Sequence, residues 1–276
     1  WTPLIDFMPS ISIGAMEFDP TDGTHQTLLA GVGRFSSFGS AGAQRAGLYR
    51  TTDGGTSWTQ ITGGGTLVDK NISGVGPRGS TMVVSVNFAV PFTCGNVGIF
   101  RSTNGGASFT KLNSGVDASG IPAGVINDLE GHPNDTATLY AAVVFADTCA
   151  SAANGVYKST DTGATWTKVS DASMDAVLVS GETSNVEISI FDDGVTNVVY
   201  VAILRFGQLI NGGVFRSTNG GTSWTALDVP QTNANGIPIG TNPRYKEDAG
   251  VPGGQGSIHF SIQADDVADD IVYVGG

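Results

Sequence analysis

Residues Gly155–Trp166 read GVYKSTDTGATW, and the same pattern occurs at Gly47–Trp58 (GLYRTTDGGTSW), Gly98–Phe109 (GIFRSTNGGASF) and Gly213–Trp224 (GVFRSTNGGTSW). The four copies lie roughly 50–60 residues apart, and a period of this size is typical of repeat architectures. The pattern therefore carries more information about the fold than any other feature of the 276-residue chain.

Each copy has the composition of a short strand followed by a hairpin. The strand consists of a glycine, an aliphatic residue, an aromatic residue, a cation and a Ser or Thr. An Asp or Asn can then accept hydrogen bonds from backbone N–H groups just ahead of it. A later glycine supplies the positive φ that a tight turn requires. A large ring begins the return strand, and the framework positions are Asp53, Asn104, Asp161 and Asn219 in the turn and Trp58, Phe109, Trp166 and Trp224 on the return strand.

The pattern resembles the Asp-box, or BNR repeat, of sialidases, xyloglucan-cleaving glycoside hydrolases and sortilin-type receptors. In those families the box occupies the turn between the third and fourth strands of a β-propeller blade. The resemblance extends along the whole chain and implies a propeller. It does not imply one activity, because the family is functionally mixed.

Two further strand-like segments precede each box, which gives four short strands per unit and matches a propeller blade. We name these strands A to D from the axis outward. The A and B segments are 11–18 and 28–35, 67–75 and 82–88, 125–129 and 139–145, and 186–191 and 198–206.

Segments at both ends extend the repeat beyond four units. Trp1–Leu4 aligns with the outer strand that follows each box, and 257–262 and 271–274 resemble strands A and B of a fifth blade. The sequence predicts an all-β protein in which 1–276 form one region of a larger propeller. That region comprises four whole blades of four antiparallel strands and partial blades at both ends, so the ring is not expected to close.

Composition and charge exclude several classes of protein. The chain has 40 Gly and only 14% charged residues, which favours many turns and short strands over long surface helices. No run of about 18 apolar residues indicates a membrane span. A net charge of −12 without a basic stripe argues against a nucleic-acid partner. No zinc spacing, phosphate-binding loop or cofactor motif is present, so neither a metal nor a cofactor is predicted.

The two cysteines, Cys94 and Cys149, both fall between strands B and C, in adjacent blades. Such loops lie on the same face of a propeller, which favours a disulfide over two free thiols. A disulfide would indicate an oxidising compartment, extracellular or periplasmic.

The resemblance implies that ligands bind on the face formed by the B–C and D–A loops. Arg34 and Arg205 occupy equivalent positions where strand B enters that face. The connection 228–256 is the longest in the chain, and its off-repeat residues Arg244, Tyr245, Glu247 and Asp248 are further candidates. Three arginines, a tyrosine and an acid are what a sialidase-like site needs, although the Arg-Ile-Pro motif of sialidases is absent. The alternative is a solvated insertion.

A second set of acids falls on strand A, which lines the axis of a propeller. Glu17 and Glu130 take matching positions, with Asp128, Glu187 and His259 nearby. A polar, water-filled channel accounts for these residues without catalysis. Two function classes therefore remain open at the level of sequence. One is a secreted propeller that binds or hydrolyses a polysaccharide, acting as a glycoside hydrolase if it is an enzyme. The other is a non-catalytic propeller that binds proteins.

Overall fold

The computed structural model describes residues 6–34, 44–112, 119–149, 154–179, 181, 183–205, 211–228, 231–234, 237–240 and 260–275. Nearly all of the regular structure is β, in four antiparallel sheets of four strands and two antiparallel pairs. Each four-stranded sheet follows chain order, so each is a blade with strands A, B, C and D side by side. The fold is that of a β-propeller, as the repeat predicts.

The strands of each blade have the following bounds. Blade 1 contains β1 to β4, at Ile13–Phe18, Leu28–Val32, Leu48–Thr51 and Thr59–Ile61. Blade 2 contains β5 to β8, at Lys70–Arg78, Thr81–Ala89, Gly98–Ser102 and Thr110–Lys111. Blade 3 contains β9 to β12, at Val125–Gly131, Leu139–Val144, Gly155–Ser159 and Thr167–Lys168. Blade 4 contains β13 to β16, at Thr183–Asp192, Asn197–Arg205, Asn211–Ser217 and Thr225–Leu227.

Four more strands follow blade 4. A hairpin of β17 (Gln231–Ala234) and β18 (Ile237–Gly240) lies within the connection that the sequence left without predicted structure. Strands β19 (Ser261–Ala264) and β20 (Val272–Gly275) then pair as A and B of a fifth blade. The first strands β1, β5, β9, β13 and β19 contact one another in that order, so the blades follow one another around a common axis.

Several predicted strand boundaries were wrong by a few residues, and two of them have a local reason. Strand β5 begins at Lys70 and not at Leu67, because Asp69 has a positive φ of 61° and turns the chain. Leu67 is nevertheless fully buried in the core. Strand β1 begins at Ile13, and Ile11 before it is 62% exposed. Phe35, Phe206 and Trp1–Leu4 lie outside the described residues.

Helix is almost absent from the described residues. The one α-helix, α1, spans Ala172–Asp175 between blades 3 and 4, and Asp171 caps it by accepting from the backbone N–H groups of Ser173 and Met174. A single 3-10 turn covers Asp147–Cys149. No helix in this part of the chain has the length and apolar character needed to cross a membrane.

The core lies between neighbouring blades. The side chains of Leu48, Met82, Val84 and Phe100 belong to one buried cluster that continues through blades 3 and 4. Tyr140 and Tyr200, at equivalent positions of strand B, are both fully buried. Stability therefore depends on stacking successive sheets, as in other repeat proteins.

A disulfide joins Cys94 to Cys149, with their Cα atoms 5.5 Å apart. Cys94 belongs to the loop between strands B and C of blade 2, and Cys149 belongs to the equivalent loop of blade 3. The bond therefore ties two neighbouring loops together on the B–C face.

Candidate functional site

The structure places two of the predicted ligand-binding arginines at the B–C face. The backbone N–H of Arg34 donates to Asn71 Oδ1 over 3.1 Å, which joins the end of strand B in blade 1 to the start of strand A in blade 2. Arg205 ends strand B of blade 4, opposite Thr183. Arg244, Tyr245, Glu247 and Asp248 lie outside the described residues, so a site built from them remains a prediction.

The box turns have the same hydrogen-bond arrangement in all four blades. In blade 3, Asp161 Oδ1 accepts from the backbone N–H of Thr165 over 2.8 Å, and Oδ2 accepts from the Thr165 hydroxyl over 2.6 Å. Ser159 Oγ accepts from the backbone N–H of Gly163 over 2.9 Å. Corresponding bonds surround Asp53, Asn104 and Asn219. Each of these side chains forms its hydrogen bonds within its own turn.

The aromatic residue after each box packs locally but not identically. The indole N–H of Trp58 donates to Gly55 O, and that of Trp166 donates to Gly163 O, each over 3.1 Å. Trp224 instead donates to Val169 O in blade 3 over 2.7 Å. Phe109 has no donor, and its ring packs on Gly63 beyond the last strand of blade 1. These contacts hold the outer edges of the blades together.

The cation of the repeat connects each blade to the next. Arg101 Nε donates to Thr162 O over 2.9 Å, and Lys158 Nζ donates to Gly220 O over 3.2 Å. Thr162 and Gly220 hold the same place in the box turns of blades 3 and 4. Arg216 reaches Asp269 in the fifth blade, with 3.0 Å between Nη2 and Oδ2. Most of the few cations in the chain thus have structural roles.

A cavity of about 490 Å³ lies along the first strands of the blades, and we call it the axial cavity. It is lined by strand A of blades 1 to 4, by Asn87 at the end of strand B in blade 2, and by Phe260 at the start of the fifth blade. Its size suits a small ligand or part of a larger one. Its walls carry the acids that the sequence placed on strand A: Glu17, Asp128, Glu130 and Glu187.

The pairing registers arrange these acids in two layers. Asp128 pairs with Ala142 and Glu187 pairs with Ala202, which are equivalent positions of blades 3 and 4. Glu17 and Glu130 pair with Leu29 and Tyr140, one layer further along. Because side chains alternate along a strand, two residues separate the layers, or about 6.6 Å. Side chains of three different blades thus face one space.

The pKa values of the acids in this space differ. Burial raises the pKa of Asp128 to about 6, and two hydrogen bonds oppose that shift. The donors are the backbone N–H of Ile188 in the next blade, over 2.7 Å, and that of Leu129, over 2.8 Å. These bonds favour the ionised carboxylate, so Asp128 carries a negative charge above about pH 6.

Burial raises the pKa values of Glu130 and Glu187 as well, and neither carboxyl group has two backbone donors to oppose the shift. Burial raises the pKa of Glu130 well above 4.5, and the negative charges of Asp128, Glu17 and Glu187 raise it further. Burial also raises the pKa of Glu187 well above 4.5, and the negative charge of Asp128 raises it further. Asn185 Nδ2 donates to Glu187 Oε1 over 2.8 Å and orients this carboxyl group.

Glu17 differs from the other three because it has a cationic partner. Arg78 Nη1 lies 2.7 Å from Glu17 Oε1, and the Arg78 side chain is only 1% exposed. Burial raises the pKa of Glu17 to about 7, although the charge of Arg78 lowers it. Arg78 Nε also donates to Thr136 O over 2.9 Å, so this arginine connects blades 1, 2 and 3.

Sequence reasoning identified the acids but not the residues that orient them. Arg78 was counted only as a cation outside the repeat, and Asn87, Asn127 and Asn185 were not singled out. The available signal was the Asn immediately before Asp128 and the Asn two residues before Glu187. His259 lies outside the described residues. Among the described ones, no group of three or more His, Cys, Asp or Glu is arranged to hold a metal ion.

No protein-family model matches this chain, and no curated protein matches it in sequence. Solved structures with partial likeness include an ancestral GH74 enzyme (14% identity, TM-score 0.48, 80% of this chain and 26% of that one). A second is YCF48 bound to D1 peptide, with 14% identity, a TM-score of 0.40, and coverage of 83% of this chain and 75% of that one. A third is the exo-β-1,3-galactanase 1,3Gal43A from Clostridium thermocellum, with 12% identity, a TM-score of 0.43, and coverage of 80% of this chain and 48% of that one. The chain spans about a quarter of the length of the GH74 enzyme and about half of the length of the galactanase. With all three TM-scores below 0.5, the fold assignment rests on the sheets of this chain.

Proposed function

We propose that this chain is part of a carbohydrate-active propeller that hydrolyses a glycosidic bond in its axial cavity. One observation carries the proposal: the carboxyl groups of Asp128 and Glu187 face the same cavity from neighbouring strands, and different hydrogen-bond partners hold them. Two carboxyl groups with different surroundings in one site are the usual basis of acid and base roles. Glycoside hydrolysis needs such a pair on either side of the scissile bond.

In this proposal, Glu187 donates its proton to the glycosidic oxygen as the bond breaks. Ionised Asp128 acts on the opposite side, as the base that activates water or as the nucleophile. The two backbone N–H donors that hold Asp128 keep it ionised, and Asn185 fixes the direction of Glu187. The acid at Glu130 contributes negative charge near the developing oxocarbenium ion when it is ionised.

The disulfide between Cys94 and Cys149 supports an extracellular or periplasmic location, because such bonds persist in oxidising compartments. Membership of the Asp-box family, by resemblance of the four hairpins, is part of the same proposal.

The test is hydrolysis by the purified chain of a panel of polysaccharides, measured as release of reducing ends. We expect Asp128→Asn and Glu187→Gln each to reduce kcat by at least about 100-fold, the usual contribution of a positioned acid or base. Asp265→Asn, in an exposed turn of the fifth blade, is the matched control and should leave the rate unchanged. The acidic limb of the pH profile should lie near pH 6, where Asp128 titrates.

Three results would count against hydrolysis. An equal loss in the Asp265→Asn variant would point to general damage. Binding of a polysaccharide without release of reducing ends would leave a glycan-binding propeller that is not an enzyme. If the chain neither binds nor cleaves any polysaccharide, the protein-binding alternative replaces the proposal.

A further inference from the structure

Three side chains form a series of contacts on the B–C face: Arg45 from the B–C loop of blade 1, Phe88 from strand B of blade 2, and Phe92 from the B–C loop of blade 2. Arg45, which is 4% exposed, lies with its guanidinium carbon 5.3 Å from the centre of the Phe88 ring. The Phe88 ring is half-buried, and its centre is 6.0 Å from that of Phe92. Phe92 is 47% exposed. The stack therefore runs from a buried cation to an aromatic ring in solvent.

Several bonds fix the B–C loop of blade 2 in position. The backbone N–H of Val90 donates to Asp69 O over 3.0 Å, and Asn96 Nδ2 donates to Pro91 O over 3.0 Å. At the base of the stack, Arg45 Nε donates to Asn71 Oδ1 over 2.9 Å. The disulfide from Cys94 holds the far side of the loop to blade 3. An exposed ring that is already ordered loses little conformational entropy when a ligand covers it.

The position of the stack relates it to the cavity. Asn87 lines the cavity and Phe88 follows it near the end of strand B, so the two side chains point to opposite faces of the strand and the stack lies outside the cavity. Thr93, which follows Phe92, and Asp69, whose backbone carbonyl accepts from Val90 in the same loop, are exposed polar residues. An exposed aromatic face with polar groups at its rim suits a ligand that has both C–H faces and hydroxyl groups.

The net charge of the chain narrows the chemical class of the ligand further. The chain carries a net charge of −12, and Arg45, the cation of the stack, is only 4% exposed and already donates to Asn71. An anionic ligand would be repelled over roughly a Debye length of about 8–10 Å in ordinary salt. The surface therefore favours an uncharged ligand over uronate or sialic acid polymers.

We infer that Phe92, supported by Phe88 and Arg45, is a stacking subsite for one sugar residue of a neutral polysaccharide outside the axial cavity. This inference rests on the proposed function, since it names the substrate class and an outer subsite of the same surface. Sugar rings pack their C–H faces on the Phe92 ring, and the rest of the chain extends toward Asn87 and the cavity.

The experiment is affinity electrophoresis of the whole chain in gels with soluble galactan, xylan or hydroxyethyl cellulose, and with polygalacturonate as the acidic arm. Wild type should be retarded by at least one neutral polymer and not by polygalacturonate. Phe92→Ala should weaken that binding at least fivefold, and Phe92→Trp should preserve or strengthen it. Phe18→Ala is the control, because Phe18 is 55% exposed on strand β1 and should have no effect.

Each other outcome overturns the inference. These outcomes are no retardation by any neutral polymer, preference for polygalacturonate, equal effects of Phe92→Ala and Phe18→Ala, or failure of Phe92→Trp to bind when its melting temperature is unchanged. The Asp128→Asn variant keeps the two proposals apart. It should bind like wild type if the subsite exists, whether or not the chain hydrolyses the polymer.

Discussion

At the scale of single residues, the side chains that recur in every blade satisfy their own turn. Asp53 accepts from Thr51 Oγ1 and from both the backbone N–H and the hydroxyl of Ser57, which lowers its pKa to about 2. Asn104 and Asn219 also accept from a backbone N–H through Oδ1, but their Nδ2 groups donate to the hydroxyls of Ser108 and Ser223. A neutral acceptor therefore serves as well as a carboxylate, and this position acts through hydrogen bonding more than through charge.

Replacing Asp161 with Ala should lower the free energy of unfolding by about 1–2 kcal/mol, the scale of a lost cap-like hydrogen bond. Asp161→Asn should cost much less, because Asn occupies the same position in blades 2 and 4. Urea denaturation of the two variants measures the difference. Equal destabilisation by Ala and Asn would show that the charge matters and contradict the hydrogen-bond account. Glycan binding should be the same in both variants.

At the scale of the element, the box hairpin combines two consecutive residues at positive φ with close contact to the previous blade. In blade 3 these residues are Thr162 at 56° and Gly163 at 76°. A Cβ atom on Gly163 would lie 2.6 Å from Val83 Cγ2 in blade 2. The hairpin thus needs glycine for two reasons, backbone conformation and the space left by its neighbour.

Gly163→Ala and Gly194→Ala separate these two effects. Gly194 has a similar φ of 85°, but a Cβ atom there would have nothing within 4 Å. Gly194→Ala should therefore lower the free energy of unfolding only by the cost of placing a residue with a Cβ atom at positive φ, about 1–2 kcal/mol. Gly163→Ala should cost clearly more, because it also displaces Val83. Thermal unfolding of both variants provides the measurement, and equal losses would mean that blade 2 yields to the extra methyl group without cost.

At the scale of the whole molecule, the axial cavity couples folding to pH. Burial raises the folded-state pKa of Glu17 to about 7 and that of Glu130 and Glu187 well above 4.5. The folded state then binds more protons than the unfolded state between the two pKa values. The stability from these groups is complete below about pH 4.5 and is lost as pH rises through the folded-state pKa, near 7 for Glu17.

The free energy of unfolding should therefore fall between pH 5 and pH 8, and Glu130→Gln should reduce that fall. His132 opposes the trend, because burial lowers its pKa below 6.5 and its contribution is lost as pH falls through that lowered value. The difference between wild type and Glu130→Gln at each pH isolates the glutamate. Asp193→Asn, in an exposed turn, is the control and should track wild type over this range. A parallel pH dependence in Glu130→Gln would show that Glu130 does not titrate as proposed.

The sequence by itself determined the blades. The side-chain acceptors that shape the box turn bond to residues at most four apart, such as Asp161 and Thr165, so a pattern of twelve residues contains the hairpin. Four copies of it predict four blades, and the matching positions of Glu17 and Glu130 on strand A predict that these acids line the axis.

Only the tertiary structure decided how those acids interact. Glu17 and Arg78 are 61 positions apart, and Asp128 and Ile188 are 60 apart, so their contacts depend on how one sheet stacks on the next. A shift of the stacking by one layer would exchange the partners without changing the local sequence. Burial and neighbouring charge set the protonation of Asp128, Glu130 and Glu187, and both arise when blades from distant parts of the chain surround one cavity.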